Sequence, residues 1–203
     1  IALYWESEEG ETQQFSFADL ARLTNQMGNA LRALGFQKRD RLLIRLPNLP
    51  EFPLVFLGAM KIGAVPIPSS TMLTAEEVAF LVDDSRPKGV VTTPELYEAV
   101  EVNRGQNKAL KSVLIVGNRV PPGCVSFTDM VKKGSAHLDV PETKANDMAY
   151  ICYTSGTAAF SKGVVHAQRA LIGHDPAALH WQALKPNYTV MHAGKLNWTY
   201  TLG

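Results

Sequence analysis

The residues with the clearest chemical potential lie in the run DMAYICYTSGTAAFSKGVVH, which begins at Asp147 and ends at His166. It places the hydroxyls of Thr154, Ser155 and Thr157 around Gly156, with the ammonium of Lys162 a few residues on and apolar, β-prone residues on both flanks. Such a loop suits an anion. Gly156 lets a ligand approach the backbone closely, consecutive backbone N–H groups can form an anion nest, and Lys162 could reach over a polyphosphate. Other phosphate motifs fit worse. A Walker loop has four residues between its glycine and Gly-Lys, then Ser or Thr, whereas Lys162 is preceded by Ser161 and followed by Gly163. Neither GxGxxG nor GxSxG occurs. The competing reading is a polar turn between two strands, since Ser, Thr and Gly favour turns for local reasons.

The elements that must position this loop alternate helix and strand. Residues 13–17 read as a short strand. From Ser16 or Phe17 to Leu34, apolar residues recur at helical spacing (Leu20, Leu23, Met27, Ala30, Leu31, Leu34). Ser16 and Asp19 have capping-box spacing, and Gly35 is placed to end the helix. Residues 40–46 read as a buried strand, 49–62 as an apolar helix stopped by Gly63, and 64–67 as the next strand. Thr74 and Glu77 form a second capping box, opening a helix to residue 84. Strands are expected at 88–91 and 111–116, with a helix between them that starts at Thr93-Pro94 and runs through residue 100. Residues 121–145 are polar and expected on the surface, with one helical turn at 129–133. Strands separated by helices imply parallel pairing. The expected fold is therefore α/β, a layered, mostly parallel β-sheet flanked by helices.

Composition narrows the class further. Of 203 residues, 46% are apolar and 19% charged, which suits a globular chain. Twenty Lys and Arg against 19 Asp and Glu give a net charge of +1, so no nucleic-acid partner is expected. The longest apolar stretch, 52–68, carries Lys61 and Pro53, Pro66 and Pro68, so no membrane span is expected. Cys124 and Cys152 have no metal or redox spacing, and Cys152 reads as a small buried hydrophobe. The histidines form no metal pattern. With no signal-peptide pattern at the N-terminus, the expected setting is reduced and cytoplasmic. The pairs Asp83–Asp84 and Glu76–Glu77 read as helix surface and capping rather than acid–base groups.

Tyr153-Thr154-Ser155-Gly156-Thr157, followed by Lys162-Gly163-Val164, resembles the signature loop of the adenylate-forming acyl- and aryl-CoA ligases, whose pattern is Tyr-Thr-Ser-Gly-Thr-Thr-Gly-x-Pro-Lys-Gly-Val. Asp40-Arg41-Leu42-Leu43-Ile44 resembles the family's early strand, and NLPEFPLVFLGAMKIGAVPIP from Asn48 to Pro68 its long helix and following strand. The resemblance implies a two-step reaction: a carboxylate attacks the α-phosphate of ATP, then CoA displaces AMP to give a thioester. Thr154, Ser155, Gly156, Thr157 and Lys162 would hold the β- and γ-phosphates, with Mg2+ nearby. Ligands would thus be ATP, CoA as co-substrate, and a small-molecule carboxylate. His166 matches a histidine common in the family and is given no role, being read as a hydrogen-bonded strand end or a neighbour of the acyl site.

A second segment, MHAGKLNWTYTLG from Met191 to Gly203, resembles the pocket segment of benzoate-type ligases through Ala193, Lys195, Leu196, Tyr200, Leu202 and Gly203. By that match Trp198, Thr199 and Tyr200 would line the acyl pocket, suiting an aryl carboxylate. Related medium-chain acyl ligases also place a tryptophan here, so an aliphatic acid is the alternative. An ordinary aromatic core segment is the plainer one. The loop departs from the family at Ala158 and Ala159, where Thr and Gly are usual. If position 159 needs a left-handed backbone, alanine costs about 1 kcal/mol or more. The loop is then either weakened, giving a non-catalytic homologue, or simply tolerant of the change. The resemblance implies that residues 1–203 are a partial N-terminal AMP-binding domain with its phosphate loop at 153–163. The family's ribose-binding acid, magnesium glutamate, hinge and catalytic lysine are then expected beyond residue 203. No catalytic residue or protein metal ligand is assigned within the chain, which is expected to be inactive alone. Exposed sheet edges would allow a homo-oligomer.

Overall fold

The computed structural model describes residues 1–105, 107–154, 161–191 and 194–196. In chain order its elements are β1 (Leu3–Glu6), β2 (Thr12–Phe15), α1 (Phe17–Ala33), β3 (Arg41–Arg45), α2 (Glu51–Lys61), β4 (Val65–Pro68), α3 (Ala75–Ser85), β5 (Gly89–Thr92), α4 (Glu98–Arg104), β6 (Ser112–Ile115), β7 (Val125–Ser126), α5 (Phe127–Lys133), β8 (Met148–Thr154), β9 (Lys162–Ala167) and α6 (Ala170–Gly173), followed by a π-turn at Ala177–Trp181. Strands β4-β3-β5-β6-β7 form one sheet in that order, every pair parallel. The expected α/β class, a parallel sheet flanked by helices, is the one observed.

Alternation along the strands sets the layers. In β3, Leu42 and Ile44 join Val91 and Leu114 in a core with α1 and α2 residues, including Met27, Leu31, Phe52 and Phe56. Leu43 faces the other way and packs with Val65, Val90 and Val113 against Val78, Leu81 and Val82 of α3 and Val100 of α4. A sheet covered on both faces needs apolar residues at consecutive positions, which is why its strands read as short apolar runs.

Local chemistry sets the helix ends. The Ser16 hydroxyl accepts from the Asp19 N–H at 3.0 Å, and the Asp19 carboxylate accepts from the Ser16 N–H at 3.1 Å. At the far end of α1, Gly35 N–H donates to Arg32 O and Phe36 N–H to Leu31 O, with Gly35 at φ +82°, a Schellman motif. The Thr74–Glu77 box opens α3 in the same manner. Pro53 sits in the first turn of α2, where its missing N–H is one that the helix would leave unpaired. Helices α1 and α2 meet at Gly58, where a Cβ would lie 2.8 Å from Met27 Cβ, so a glycine is required for that approach.

Four features differ from expectation. The strand expected at 13–17 is seen as β2, but its antiparallel hairpin partner β1, with alternating half-buried and exposed residues, was not foreseen. Helix α4 starts at Glu98, not at Thr93-Pro94. Thr93 is buried, and its backbone carbonyl closes a turn by accepting from Leu96 N–H at 3.2 Å. Two-residue β7 extends the sheet. Finally, the polar stretch after α5 is surface-exposed but strapped down. Side chains along α1 donate to its carbonyls: Asn25 to Ala136, Asn29 to Ser135 and His137, and Arg32 to Asp139. That strap delivers the chain to β8. Among the described residues no helix is long and apolar enough to cross a membrane.

Candidate functional site

Strands β8 and β9 form an antiparallel pair, with Tyr150 opposite His166 and Thr154 opposite Lys162. The strands on either side of the glycine- and hydroxyl-rich run are therefore antiparallel neighbours. The ladder itself brings Thr154 and Lys162 together at its mouth, as directly opposed neighbours with Cβ atoms about 4.5–5.5 Å apart. Both residues are exposed. The Lys162 side chain forms no hydrogen bond or ion pair with any described residue. The expected phosphate contacts at Ser155, Gly156 and Thr157, and the expected acyl-pocket residues Trp198, Thr199 and Tyr200, lie outside the described residues.

The start of β8 is fixed electrostatically. Lys38 Nζ lies 2.7 Å from Asp147 Oδ2, and the same ammonium donates to Glu142 O at 3.0 Å. Asp147 also accepts the Lys144 N–H at 2.8 Å. That backbone donor, then Lys38, holds its carboxyl below the usual range.

The end of β8, where the loop begins, is fixed by Tyr153. Its phenol donates to Asp84 Oδ2 of α3 at 2.5 Å. Burial, then the Asp84 carboxylate, pushes the phenol well above its ordinary pKa, so it stays protonated and donating. Tyr153 faces Gly163 across the ladder, and a Cβ at position 163 would lie 3.2 Å from the ring and 3.2 Å from Ile151 Cγ2. The glycine next to the lysine is thus a seat for the tyrosine ring. Asp83 and Asp84 lie on the exposed surface of α3, as expected, and from there Asp84 also ties α3 to the end of β8. Its partner is 69 residues away, and nothing local in the sequence announces it.

An open cleft of about 570 Å3 lies beside the hairpin, lined by Arg41, Asp84, Arg86, Tyr153 and Lys162 among others. Three cationic residues against one carboxylate favour an anionic ligand on this side. On the opposite face, Phe52, Phe56, Tyr150 and His166 form a column running from α2 through β8 to β9. Its ring centroids are 6.4, 5.4 and 4.3 Å apart in turn. His166 is a packed strand residue lying nearly parallel to Tyr150, at 9°. Burial, then His174, lowers its pKa. Among the described residues there is no group of three or more His, Cys, Asp or Glu side chains able to hold a metal. The described Thr154 hydroxyl and Lys162 ammonium suit an anion.

The family model for AMP-binding enzymes matches residues 1–202. The chain belongs to the AMP-binding enzyme family. It is 35% identical over 168 residues to a crotonobetaine/carnitine–CoA ligase of Salmonella paratyphi A, covering 81% of this chain and 32% of that protein. It is 31% identical over 185 residues to the human mitochondrial acyl-coenzyme A synthetase ACSM5, covering 90% of this chain and 32% of that one. The crystal structure of a Brucella canis acyl-CoA synthetase superposes with a TM-score of 0.90 at 25% identity, over 99% of this chain and 36% of that one. The chain thus spans about a third of the length of the curated relatives it matches.

Proposed function

We propose that the polypeptide carrying this chain is a cytoplasmic AMP-forming carboxylate–CoA ligase, and that residues 1–203 are part of its N-terminal AMP-binding domain. In the proposed reaction a carboxylate oxygen attacks the α-phosphorus of ATP, the bond to the β-phosphate breaks, and pyrophosphate leaves. The CoA sulfur then attacks the acyl carbon and AMP leaves. The observation that carries this reading is the hairpin mouth: Thr154 and Lys162 are opposed across the ladder, and the lysine side chain has no hydrogen-bond or ion-pair partner among the described residues. A fixed cation there opposes the charge that builds on the leaving polyphosphate. Thr154, Ser155, Gly156, Thr157 and Lys162 are proposed as the phosphate contacts, with Mg2+ shared among the phosphate oxygens. Relatives named as CoA ligases and synthetases support the same chemistry.

For the acid, we propose an aryl carboxylate bound by Trp198, Thr199 and Tyr200, with a medium-chain fatty acid as the alternative. The test is carboxylate-dependent ATP–pyrophosphate exchange by the intact polypeptide with benzoate, octanoate and crotonobetaine. Strong exchange with benzoate supports the aryl reading. Exchange with octanoate or crotonobetaine alone replaces the acid but keeps the reaction. Residues 1–203 alone are expected to show no exchange, and clear exchange by that piece would refute its dependence on the rest of the protein. Reverting Ala158 to Thr and Ala159 to Gly should tighten ATP if the loop is weakened, and unchanged affinity would mean the loop tolerates both alanines.

A further inference from the structure

The turn between β3 and α2 touches both ends of the chain. Trp5 Nε1 in β1 donates to the backbone oxygen of Asn48 at 2.6 Å. The Asn48 side chain reaches the other way: its Nδ2 donates to Gly194 O at 3.3 Å, and its Oδ1 accepts the Leu196 N–H at 2.9 Å. One carboxamide thus grips two main-chain groups two residues apart, the spacing that an adjoining β-strand would offer. Leu196, between that grip and the core, packs against the buried cluster around α1 and α2. Lys195 is the exposed residue between them.

We infer that Asn48 is a positioning residue for the acyl-binding segment, and that Trp5 braces it. The inference rests on the reading of Trp198, Thr199 and Tyr200 as the acyl pocket, because Asn48 holds the backbone two residues before Trp198. A side chain that fixes both a carbonyl and an N–H sets the orientation of the peptide planes and hence the direction in which the chain leaves Leu196. Losing it frees the segment without touching the phosphate hairpin, whose root is held by Tyr153 and Asp84. Each of the two bonds contributes modestly, so their joint loss corresponds to a change of about tenfold.

The experiment measures ATP–pyrophosphate exchange by the intact polypeptide, with KM determined separately for ATP and for the accepted acid among benzoate, octanoate and crotonobetaine. Asn48→Ala should raise the carboxylate KM about tenfold and leave the ATP KM within twofold. Asn48→Asp keeps the acceptor for Leu196 N–H but loses the donor to Gly194 O, and should fall between wild type and Asn48→Ala. Trp5→Phe removes only the brace and should give the smallest shift in the same KM. Trp198→Ala is run alongside. If Trp198→Ala raises the carboxylate KM and none of the Asn48 variants does, the positioning role is overturned while the pocket stands. If Trp198→Ala also leaves that KM unchanged, the pocket reading falls and takes this inference with it. Equal rises in both KM values, or a lowered melting temperature with unchanged KM values, would make Asn48 a general structural residue and overturn the inference. Should Asn48→Ala fail to fold, Asn48→Asp and Trp5→Phe decide on the same KM ratio.

Discussion

Two segments proposed to meet substrate are rooted in different ways. The phosphate hairpin is anchored by its own ladder, by a phenol–carboxylate bond from Tyr153 to Asp84, and by the Lys38–Asp147 pair at the start of β8. The segment at 194–196 is held by the neutral amide of Asn48 acting on backbone. The first root uses groups that titrate and the second does not. Substitutions and pH should therefore act on ATP use through the hairpin and on acid use through the turn before α2.

The largest effect is expected at Lys162. Lys162→Ala should lower pyrophosphate exchange about 100-fold, as losing one preorganised transition-state contact does, with the carboxylate KM nearly unchanged. A matching rise in carboxylate KM would erase the contrast between the two roots. Next comes Tyr153→Phe, which deletes the bond to Asp84 and should raise the ATP KM about three- to tenfold while sparing the carboxylate KM. Steady-state kinetics on the pair Tyr153→Phe and Asn48→Ala therefore makes a crossed test.

Gly163→Ala should act more mildly. Its methyl would press the Tyr153 ring and Ile151 Cγ2, each at 3.2 Å, costing about 1 kcal/mol. The melting temperature should drop by about 2–4 °C, as expected for a domain of this size. A stable Gly163→Ala protein with normal ATP affinity would show that the ring seat is not needed.

The smallest effects concern pH and stability. His166 has a folded pKa below its ordinary value, so the unfolded chain binds the extra proton first as pH falls. Stability from this group is present at neutral pH and is lost on acidification below about 6.5. Tyr153 has a raised folded pKa, so its contribution is present below about pH 10 and is lost as pH climbs above it. Denaturant titrations should show His166→Phe flattening the acid limb and Tyr153→Phe the alkaline limb. Asn48→Ala should alter neither slope, and a change in either would mean that the turn before α2 is coupled to the titrating root.

What the sequence made legible follows the range of the interactions involved. Helix α1 was readable from end to end because its period, its Ser16–Asp19 box and Gly35 are all local. The parallel sheet was readable because strands buried on both faces must be apolar. The two strands flanking the hydroxyl-rich run were likewise expected, and the register then put Thr154 opposite Lys162. Illegible were the links that skip along the chain. Asp84 looks like any acidic residue near a helix end until Tyr153 arrives 69 residues later. Asn48 looks like a turn residue until Leu196 N–H is found on it, 148 residues away. The start of α4 misled for a different reason: Thr93-Pro94 has cap chemistry, but burial at the end of β5 diverts Thr93 to a turn. The resemblance of the loop to adenylate-forming enzymes pointed to the family that the matched residues bear out.

The most direct measurement is carboxylate-dependent exchange of labelled pyrophosphate into ATP by the intact polypeptide, wild type against Lys162→Ala. Label should enter ATP only when an acid is present, and should fall about 100-fold in the variant. Label entering ATP equally without acid, or equally in the Lys162→Ala protein, would contradict the reading of this hairpin as the phosphate grip of a carboxylate-activating enzyme.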